Sequence, residues 1–226
     1  MEFTELIKLL KDRPGMILGK KEFFTLHDYG IFIEGYVTAS DGDFEHFFRR
    51  RFPVFVCNKF GFELTDYEFW FETISKNNTD EQEAQAMFFE YFDRFREIYG
   101  LVPKDKFDTS SVERLTTLPD EEFDVLAPKL LMWIQDINWP VAPQMVKVLS
   151  SHQDVTEKYL PEILRPDQGD AEWKVNVIRF LLPEFSSALK EEFTEWQIER
   201  IATKPTASER SEEADEAANE YLERRK

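Results

Sequence analysis

Apolar residues recur along the chain with the three- and four-residue spacing of amphipathic helices, and this pattern predicts an all-α protein. The first helix is predicted over residues 2–12, from an apolar stripe made of Phe3, Leu6, Ile7 and Leu10. The Pro14-Gly15 pair then predicts a turn. A second helix is predicted over residues 20–38, where Gly30 and Gly35 weaken helix propensity and suggest close contact with another helix.

The most regular pattern of the N-terminal half follows a capping box at Thr79-Asp80-Glu81-Gln82. It predicts a helix with one apolar face: Ala84, Phe88, Tyr91, Phe92, Phe95 and Tyr99. A second capping box, Thr65-Asp66-Tyr67-Glu68, precedes a stripe of Tyr67, Trp70, Phe71 and Ile74. A third helix, from Phe44 to Phe52, is predicted to end near Pro53. Val54-Phe55-Val56 fits a short strand or, as the favoured interpretation, a buried continuation of that helix.

An approximate repeat organises the C-terminal half. The stretch Asp136-Ile137-Asn138-Trp139-Pro140 is echoed 34 residues later by Asp170-Ala171-Glu172-Trp173, and an apolar run follows each tryptophan. A period of about 34 residues with two helical stretches per unit is typical of α-α repeats, in which each unit buries its face on the next. The sequence therefore predicts a HEAT-like repeat in which Trp139 and Trp173 are equivalent and, with Trp133, buried.

These patterns predict two helical domains and two less ordered segments. Their bounds are an N-terminal domain over 1–100, a linker over 101–109, a repeat domain over 110–203 and a mobile or loosely helical acidic tail over 204–226. Pro183 should separate the last two helices of the repeat domain. The final helix is predicted from Glu184 to Ile201, with four residues turned inward: Leu189, Phe193, Trp196 and Ile201.

The composition favours a folded, acidic protein with a protein partner. Hydrophobic residues make up 42% of the chain, and the net charge is −17. Such a charge repels nucleic acid and anionic membranes and favours encounter with basic partners, although solubility alone also explains it. We find no basic-then-apolar leader, no apolar stretch of membrane-spanning length and a single cysteine, Cys57, so the expected location is the cytoplasm.

No residue pattern predicts catalysis, a metal site or a cofactor. His27, His46 and His152 are widely spaced, and Cys57 lies beside an apolar run without a catalytic motif. Paired carboxylates are too abundant in an acidic chain to indicate a site. We therefore expect a non-enzymatic protein.

Asp136, Asn138 and Asp170 are interpreted mainly as helix caps, with Pro140 in the first turn of the helix that it precedes. The tryptophans beside them fit core positions. A ligand site at this turn is the less favoured alternative.

Acidic side chains on exposed helix faces are the candidates for partner binding. One set lies on the helix after Thr79: Glu83, Glu90, Asp93 and Glu97. The other, preferred because repeat proteins bind through extended surfaces, lies on the last long helix: Glu191, Glu192, Glu195 and Glu199. The alternative is that these acids only interact with solvent.

The stretch from Leu131 to Ala142 resembles a bacterial family of uncharacterised domains with the signature W-[IL]-Q-D-x-N-W-P-x-A, over residues of about 115–203. The N-terminal half, with Arg13-Pro14-Gly15-Met16, is similar to a second family of small bacterial proteins. Both resemble proteins regarded as immunity proteins of polymorphic toxin systems. The resemblance implies helical repeats and a binding role, with no catalytic residues to carry over.

The leading hypothesis is thus an immunity-type protein that neutralises a cognate basic toxin. Acidic immunity proteins suit nuclease toxins because they can occupy a cationic substrate groove. The alternative is a general helical-repeat scaffold or adaptor.

Overall fold

The computed structural model describes residues 2–19, 23–62 and 69–225, and every regular element within these ranges is helical. The predicted all-α fold class is therefore confirmed. The chain divides into two compact units, Met1–Tyr99 and Gly100–Lys226. The capping box at 65–68, including Tyr67 of the apolar stripe, lies outside the described residues.

Six helices make up the described part of the first unit: α1 (Phe3–Asp12), α2 (Pro14–Leu18), α3 (Leu26–Ala39), α4 (Asp43–Phe60), α5 (Trp70–Lys76) and α6 (Glu81–Tyr99). Their core is largely aromatic. Phe48 stacks on Phe52 with ring centroids 4.4 Å apart, and Phe95 meets both rings edge-on. The apolar stripes of α1 and α6 face this core, since Phe3 and Phe92 are both buried.

Helix α4 passes through Pro53 and ends at Phe60. The predicted end near Pro53 is wrong, and the favoured helical interpretation of residues 54–56 is confirmed. A proline removes one backbone donor and disfavours a helix interior. Here buried Phe52, Phe55 and Val56 on either side of it keep the helix packed on the aromatic core.

The second unit contains nine helices in its described part: α7 (Val112–Leu115), α8 (Asp120–Leu131), α9 (Ala142–Ser151), α10 (Gln153–Glu157), α11 (Leu160–Leu164), α12 (Ala171–Asn176), α13 (Glu192–Thr203), α14 (Ala207–Ser211) and α15 (Ala214–Arg224). Short 3-10 turns follow α8 and precede Phe185, and a π-helical turn continues α12 over Val177–Leu181. Helix α8 contacts α9 and α10, α11 contacts α13, and α12 contacts α15.

The segment predicted as a linker, 101–109, belongs to this second unit. Leu101 and Val102 are buried, and the Val141 amide donates a hydrogen bond of 3.1 Å to the Lys106 carbonyl. The sequence reads as a linker because Pro103 and alternating charges interrupt the helical pattern. Its two apolar residues nevertheless anchor it.

The tail predicted as mobile or loosely helical is helical, and its two helices pack into the second unit. Residues 207–224 form α14 and α15. Helix α15 packs against α12 and α13, and its stripe of Ala214, Ala217 and Ala218 is buried. The sequence indicated no firm packing because large apolar residues are scarce here. Alanine buries little area but lets two helices approach closely, so a stripe of small residues suffices.

The two motif tryptophans are not equivalent. Trp139 lies in a turn three residues before α9 begins, whereas Trp173 is the third residue of α12. The predicted equivalence is wrong, and the HEAT-like repeat is not confirmed.

A buried ionic network joins α11, α12, α13 and α14. Glu209 and Lys174 are fully buried, and the Lys174 ammonium donates to a Glu209 carboxylate oxygen at 2.7 Å. Both outer nitrogens of Arg200 also donate to this carboxylate at 2.7 Å, and the Thr206 amide donates at 2.8 Å. The two cations additionally donate to backbone carbonyls at the end of α11, those of Leu164 and Arg165.

The first prediction concerns the two helical glycines of α3. A Cβ built on Gly30 would lie 2.0 Å from the Phe71 ring, whereas one on Gly35 would meet no atom of the described residues within 4 Å. Gly30→Ala should therefore destabilise the first unit by about 1–3 kcal/mol through overpacking. Gly35→Ala is the matched control and should stabilise by about 0.5–1 kcal/mol through helix propensity. Urea denaturation measures both, and equal effects would contradict the close packing of α3 on α5.

The second prediction concerns Glu209. Burial raises the pKa of a carboxyl, but the hydrogen bonds from Arg200 and Lys174 outweigh burial and lower the pKa of Glu209 from 4.5 to about 2. Because the folded-state pKa is the lower one, the stabilisation is complete above the unfolded pKa and is lost as pH falls through the folded pKa. It amounts to about 3 kcal/mol near neutral pH.

Glu209→Gln should therefore lower the free energy of unfolding of the second unit at pH 7, and the difference from wild type should shrink between pH 5 and pH 2. Tryptophan fluorescence reports on this unit, since four of the five tryptophans lie in it. A difference that does not change with pH would show that the carboxylate charge is not what stabilises the fold.

Candidate partner-binding surface

Polar side chains of α10 form hydrogen bonds with the backbone of the segment that leads into α13. Gln153 donates to the Ser187 carbonyl at 3.0 Å and accepts from the Ser187 amide at 3.1 Å. One oxygen of buried Glu157 accepts from the backbone amides of Lys190 and Glu191, at 2.5 and 2.7 Å. These bonds fix where α13 begins.

The inner face of α13 is formed by four buried residues at helical spacing: Thr194, Gln197, Ile198 and Ile201. The opposite side carries Glu192, Trp196 and Glu199, which follow one another at intervals of four and three residues. All three are exposed, so the tryptophan lies between two carboxylates on the outermost face of the helix.

Phe193 and Trp196 were predicted to face inward, and this is wrong. They are 52% and 50% exposed, and their rings stack with centroids 5.3 Å apart. Ile201 is buried as predicted and Leu189 is half-buried, but α13 begins at Glu192 and not at Glu184. The polar Gln197 takes an inner position because its side chain accepts a hydrogen bond of 3.0 Å from Arg200. Sequence pattern alone would place the large aromatic residues there.

The four acids proposed on this helix are all exposed: Glu191, Glu192, Glu195 and Glu199. Glu195 forms an ion pair of 3.3 Å with Arg225 at the end of α15. Within the described residues, Glu192 and Glu199 form no ion pair. The structure thus adds an aromatic pair to the predicted acidic face, and we call Glu192, Phe193, Glu195, Trp196 and Glu199 the α13 face.

The four acids proposed on α6 are exposed as well: Glu83, Glu90, Asp93 and Glu97. Two of them have cations one turn away. Glu97 pairs with Arg94 at 2.8 Å, and Asp93 pairs with Arg96 at 3.6 Å. This helix belongs to the other unit, and its large aromatic residues face its own core or are half-buried. It offers a partner less unpaired charge.

A second surface feature surrounds the tryptophan motif. Trp133 and Trp139 are only partly buried, contrary to prediction, and their rings meet edge-to-face with centroids 5.7 Å apart. Together with Lys129, Met132 and Gln135 they line a cavity of about 190 Å³. The motif therefore forms a small apolar groove in addition to its structural role.

The polar residues of the motif act differently in its two copies. Asp136 accepts a hydrogen bond of 2.9 Å from the Asn138 amide within the turn, and Pro140 also lies in this turn. The predicted helix cap at Asp136 or Asn138 is wrong, since α9 begins at Ala142 without a side-chain cap. Asp170 does cap α12, because its side chain accepts from the Trp173 amide at 2.9 Å, and Trp173 is buried.

The part of the chain that the structure describes offers little metal or histidine chemistry. No group of three or more His, Cys, Asp or Glu side chains there is arranged to hold a metal ion. His152 is buried against Phe123, with its ring nitrogens 2.6 Å from an Asp120 oxygen and 3.1 Å from the Leu115 carbonyl. Among the described helices, none combines the length and apolar character needed to cross a membrane.

The α13 face lies in a region that a protein-family model recognises. The model describes a domain of unknown function, DUF5071, and it matches residues 101–222. The chain belongs to the DUF5071 family. A search of curated proteins found no match. The DUF5071 match begins within the segment predicted as a linker and runs into α15, in agreement with the packing of both segments in the second unit.

The third prediction compares two residues of α13. Trp196→Ala should change the free energy of unfolding by about 1 kcal/mol or less, because the side chain is half exposed and loses mainly its stacking on Phe193. Ile201→Ala should cost about 2–5 kcal/mol, because Ile201 is fully buried. Urea denaturation of the two variants makes the comparison. A severe loss on truncating Trp196 would assign that residue to the core.

Proposed function

We propose that this DUF5071 protein is an immunity-type protein that binds and neutralises a cognate basic toxin through the α13 face. The observation that carries the proposal is the exposed Phe193–Trp196 stack beside the carboxylates of Glu192 and Glu199. Two large aromatic rings half exposed to solvent lose little of their own packing when a partner covers them.

The chemistry of this face fits a basic partner. An Arg side chain can lie over the face of an aromatic ring while its guanidinium pairs with a neighbouring carboxylate, and Trp gives the strongest such interaction. Binding hot spots are enriched in Trp, Tyr and Arg, which pack into desolvated pockets at the centre of an interface. Glu192 and Glu199 supply carboxylates on both sides of Trp196 and have no internal ion pair to break within the described residues.

The net charge of −17 supports the same partner class through association kinetics. An acidic protein captures a basic toxin quickly because long-range attraction raises the rate of productive encounter. Fast capture matters for neutralisation, since a toxin acts until it is bound.

A helical scaffold or adaptor is the second candidate. The observation that favours it is the Trp133–Trp139 groove, a concave surface in the DUF5071 domain. A scaffold would bind a different protein there, without a requirement that the partner be basic.

Co-expression tests the proposal directly. A toxin-domain protein encoded beside this gene should be lethal when expressed alone and harmless when expressed with the wild-type protein. Trp196→Ala should weaken protection, while the Met132→Ala variant at the Trp133–Trp139 groove should protect fully. If only the Met132→Ala variant fails to protect, the partner binds at the Trp133–Trp139 groove, as the adaptor hypothesis expects. If the wild-type protein neutralises no neighbouring toxin, the immunity function is wrong.

The fourth prediction is the salt dependence of association. The Debye length falls from about 10 Å at 0.1 M salt to about 3 Å at 1 M, so the association rate with a basic partner should fall by about tenfold or more over this range. Glu192→Gln/Glu195→Gln/Glu199→Gln should slow association and weaken its salt dependence. The measurement is stopped-flow fluorescence or surface plasmon resonance.

The charge-matched control is Glu83→Gln/Glu90→Gln/Glu97→Gln on α6, which removes the same net charge from the first unit. It should leave most of the rate intact. Slower binding by the α6 variant together with unchanged binding by the α13 variant would move the interface to α6. An association rate insensitive to salt in all three proteins would rule out electrostatic capture.

A further inference from the structure

The first unit contains a cavity of about 350 Å³ between α1 and α6. Its apolar lining comes from the side chains of Ile7, Phe89 and Phe92, all of which are buried in the fold. Cavities of this size lie at the lower end of those that hold small organic molecules. An apolar floor of this kind suits the aromatic or aliphatic part of an organic ligand and not an inorganic ion alone.

Three cationic side chains also line the cavity: Lys8, Lys11 and Arg96. Lys8 and Lys11 are exposed and lie one turn apart on α1, so they project from the same side of that helix. The convergence is notable because residues 1–99 carry 12 Lys and Arg against 19 Asp and Glu. A random patch of this unit would be acidic.

The local charge remains positive after its internal pairs are considered. Asp12 and Asp93 line the cavity too, and Asp93 pairs with Arg96 at 3.6 Å. Lys11 lies over the Phe89 ring, with its ammonium 5.3 Å from the ring centroid. Lys8 forms no ion pair within the described residues, so its ammonium is available to a ligand.

Helix stabilisation does not account for both lysines. Lys11 lies in the last turn of α1, where a cation interacts favourably with the helix dipole. That interaction falls off within one turn, and Lys8 lies a turn earlier. At the rim of the cavity, above its apolar floor, the Lys8 ammonium can instead bind an anionic ligand.

We propose that this cavity binds a small organic anion, in which an aromatic or aliphatic ring rests on Ile7, Phe89 and Phe92 while a phosphate or carboxylate group is bound by Lys8 and Lys11. A bare phosphate would leave the apolar floor uncovered, and a neutral ring would leave the ammonium groups unpaired. The site is independent of the α13 face, and its failure would leave the toxin-binding proposal unaffected.

The test uses phenyl phosphate as the probe and the full chain as the receptor. Isothermal titration calorimetry should show saturable binding with one site, and two-dimensional NMR should place the shifted amides on α1 and α6. Phenol and inorganic phosphate should each bind at least about tenfold more weakly than phenyl phosphate, because each lacks one half of the interaction.

The Lys8→Gln/Lys11→Gln variant should lose about tenfold or more in affinity, because two charge-assisted hydrogen bonds are removed. Arg50→Gln/Lys76→Gln is the matched control, since it removes the same charge from α4 and α5, and it should bind as the wild type does. All residues in both variants are exposed, and circular dichroism melting checks that the fold is retained.

Three outcomes would overturn the proposal. They are the absence of saturable binding to the wild type, equal affinity of the Lys8→Gln/Lys11→Gln variant, and an equal loss in the matched control. Inorganic phosphate that binds as tightly as phenyl phosphate would remove the role of the apolar floor and overturn the ligand class.

Discussion

The buried carboxylate of Glu209 is the interaction on which the second unit depends most. It accepts hydrogen bonds from Lys174 of α12, from Arg200 of α13 and from the Thr206 amide before α14. A buried ion pair brings little net stability over an apolar pair, because both charges must leave water. Removing one partner is costly, however, since the remaining charge stays buried without compensation. The network therefore acts mainly to specify one arrangement of these helices.

That arrangement determines which side of α13 reaches solvent. Arg200 points inward to Glu209, and Thr194, Gln197, Ile198 and Ile201 occupy the remaining inner positions. The large aromatic residues of the helix are left on the outside. Glu157 fixes the start of the helix by accepting from the amides of Lys190 and Glu191. The aromatic and acidic surface is thus a consequence of buried polar contacts elsewhere in the unit.

The sequence was sufficient to predict which helix face is buried wherever burial follows the apolar periodicity. The stripes of α1 and α6 were predicted correctly because Leu6, Phe88 and Phe95 are large apolar residues in regular amphipathic helices. It was insufficient for α13, where a polar Gln197 is buried and an aromatic Trp196 is exposed, because that choice depends on Arg200 and on the distant Glu209. It was equally insufficient for α15, whose packing relies on alanine. The acidic half of the α13 face was predictable from spacing, but its aromatic half was not.

Local pairing, more than net charge, distinguishes the surfaces of this protein. The acids of α6 include Asp93 and Glu97, each with an arginine one turn away, so a partner would have to compete with those pairs. On α13, Glu192 and Glu199 have no such competitor among the described residues, and Trp196 between them provides apolar area. At the cavity beside α1, Lys8 forms no ion pair with any residue that the structure describes, although the first unit is acidic overall. Charges left without internal compensation lose less when a ligand covers them, since no existing pair is broken. A positive cavity and a negative helix face can therefore coexist within a chain of net charge −17.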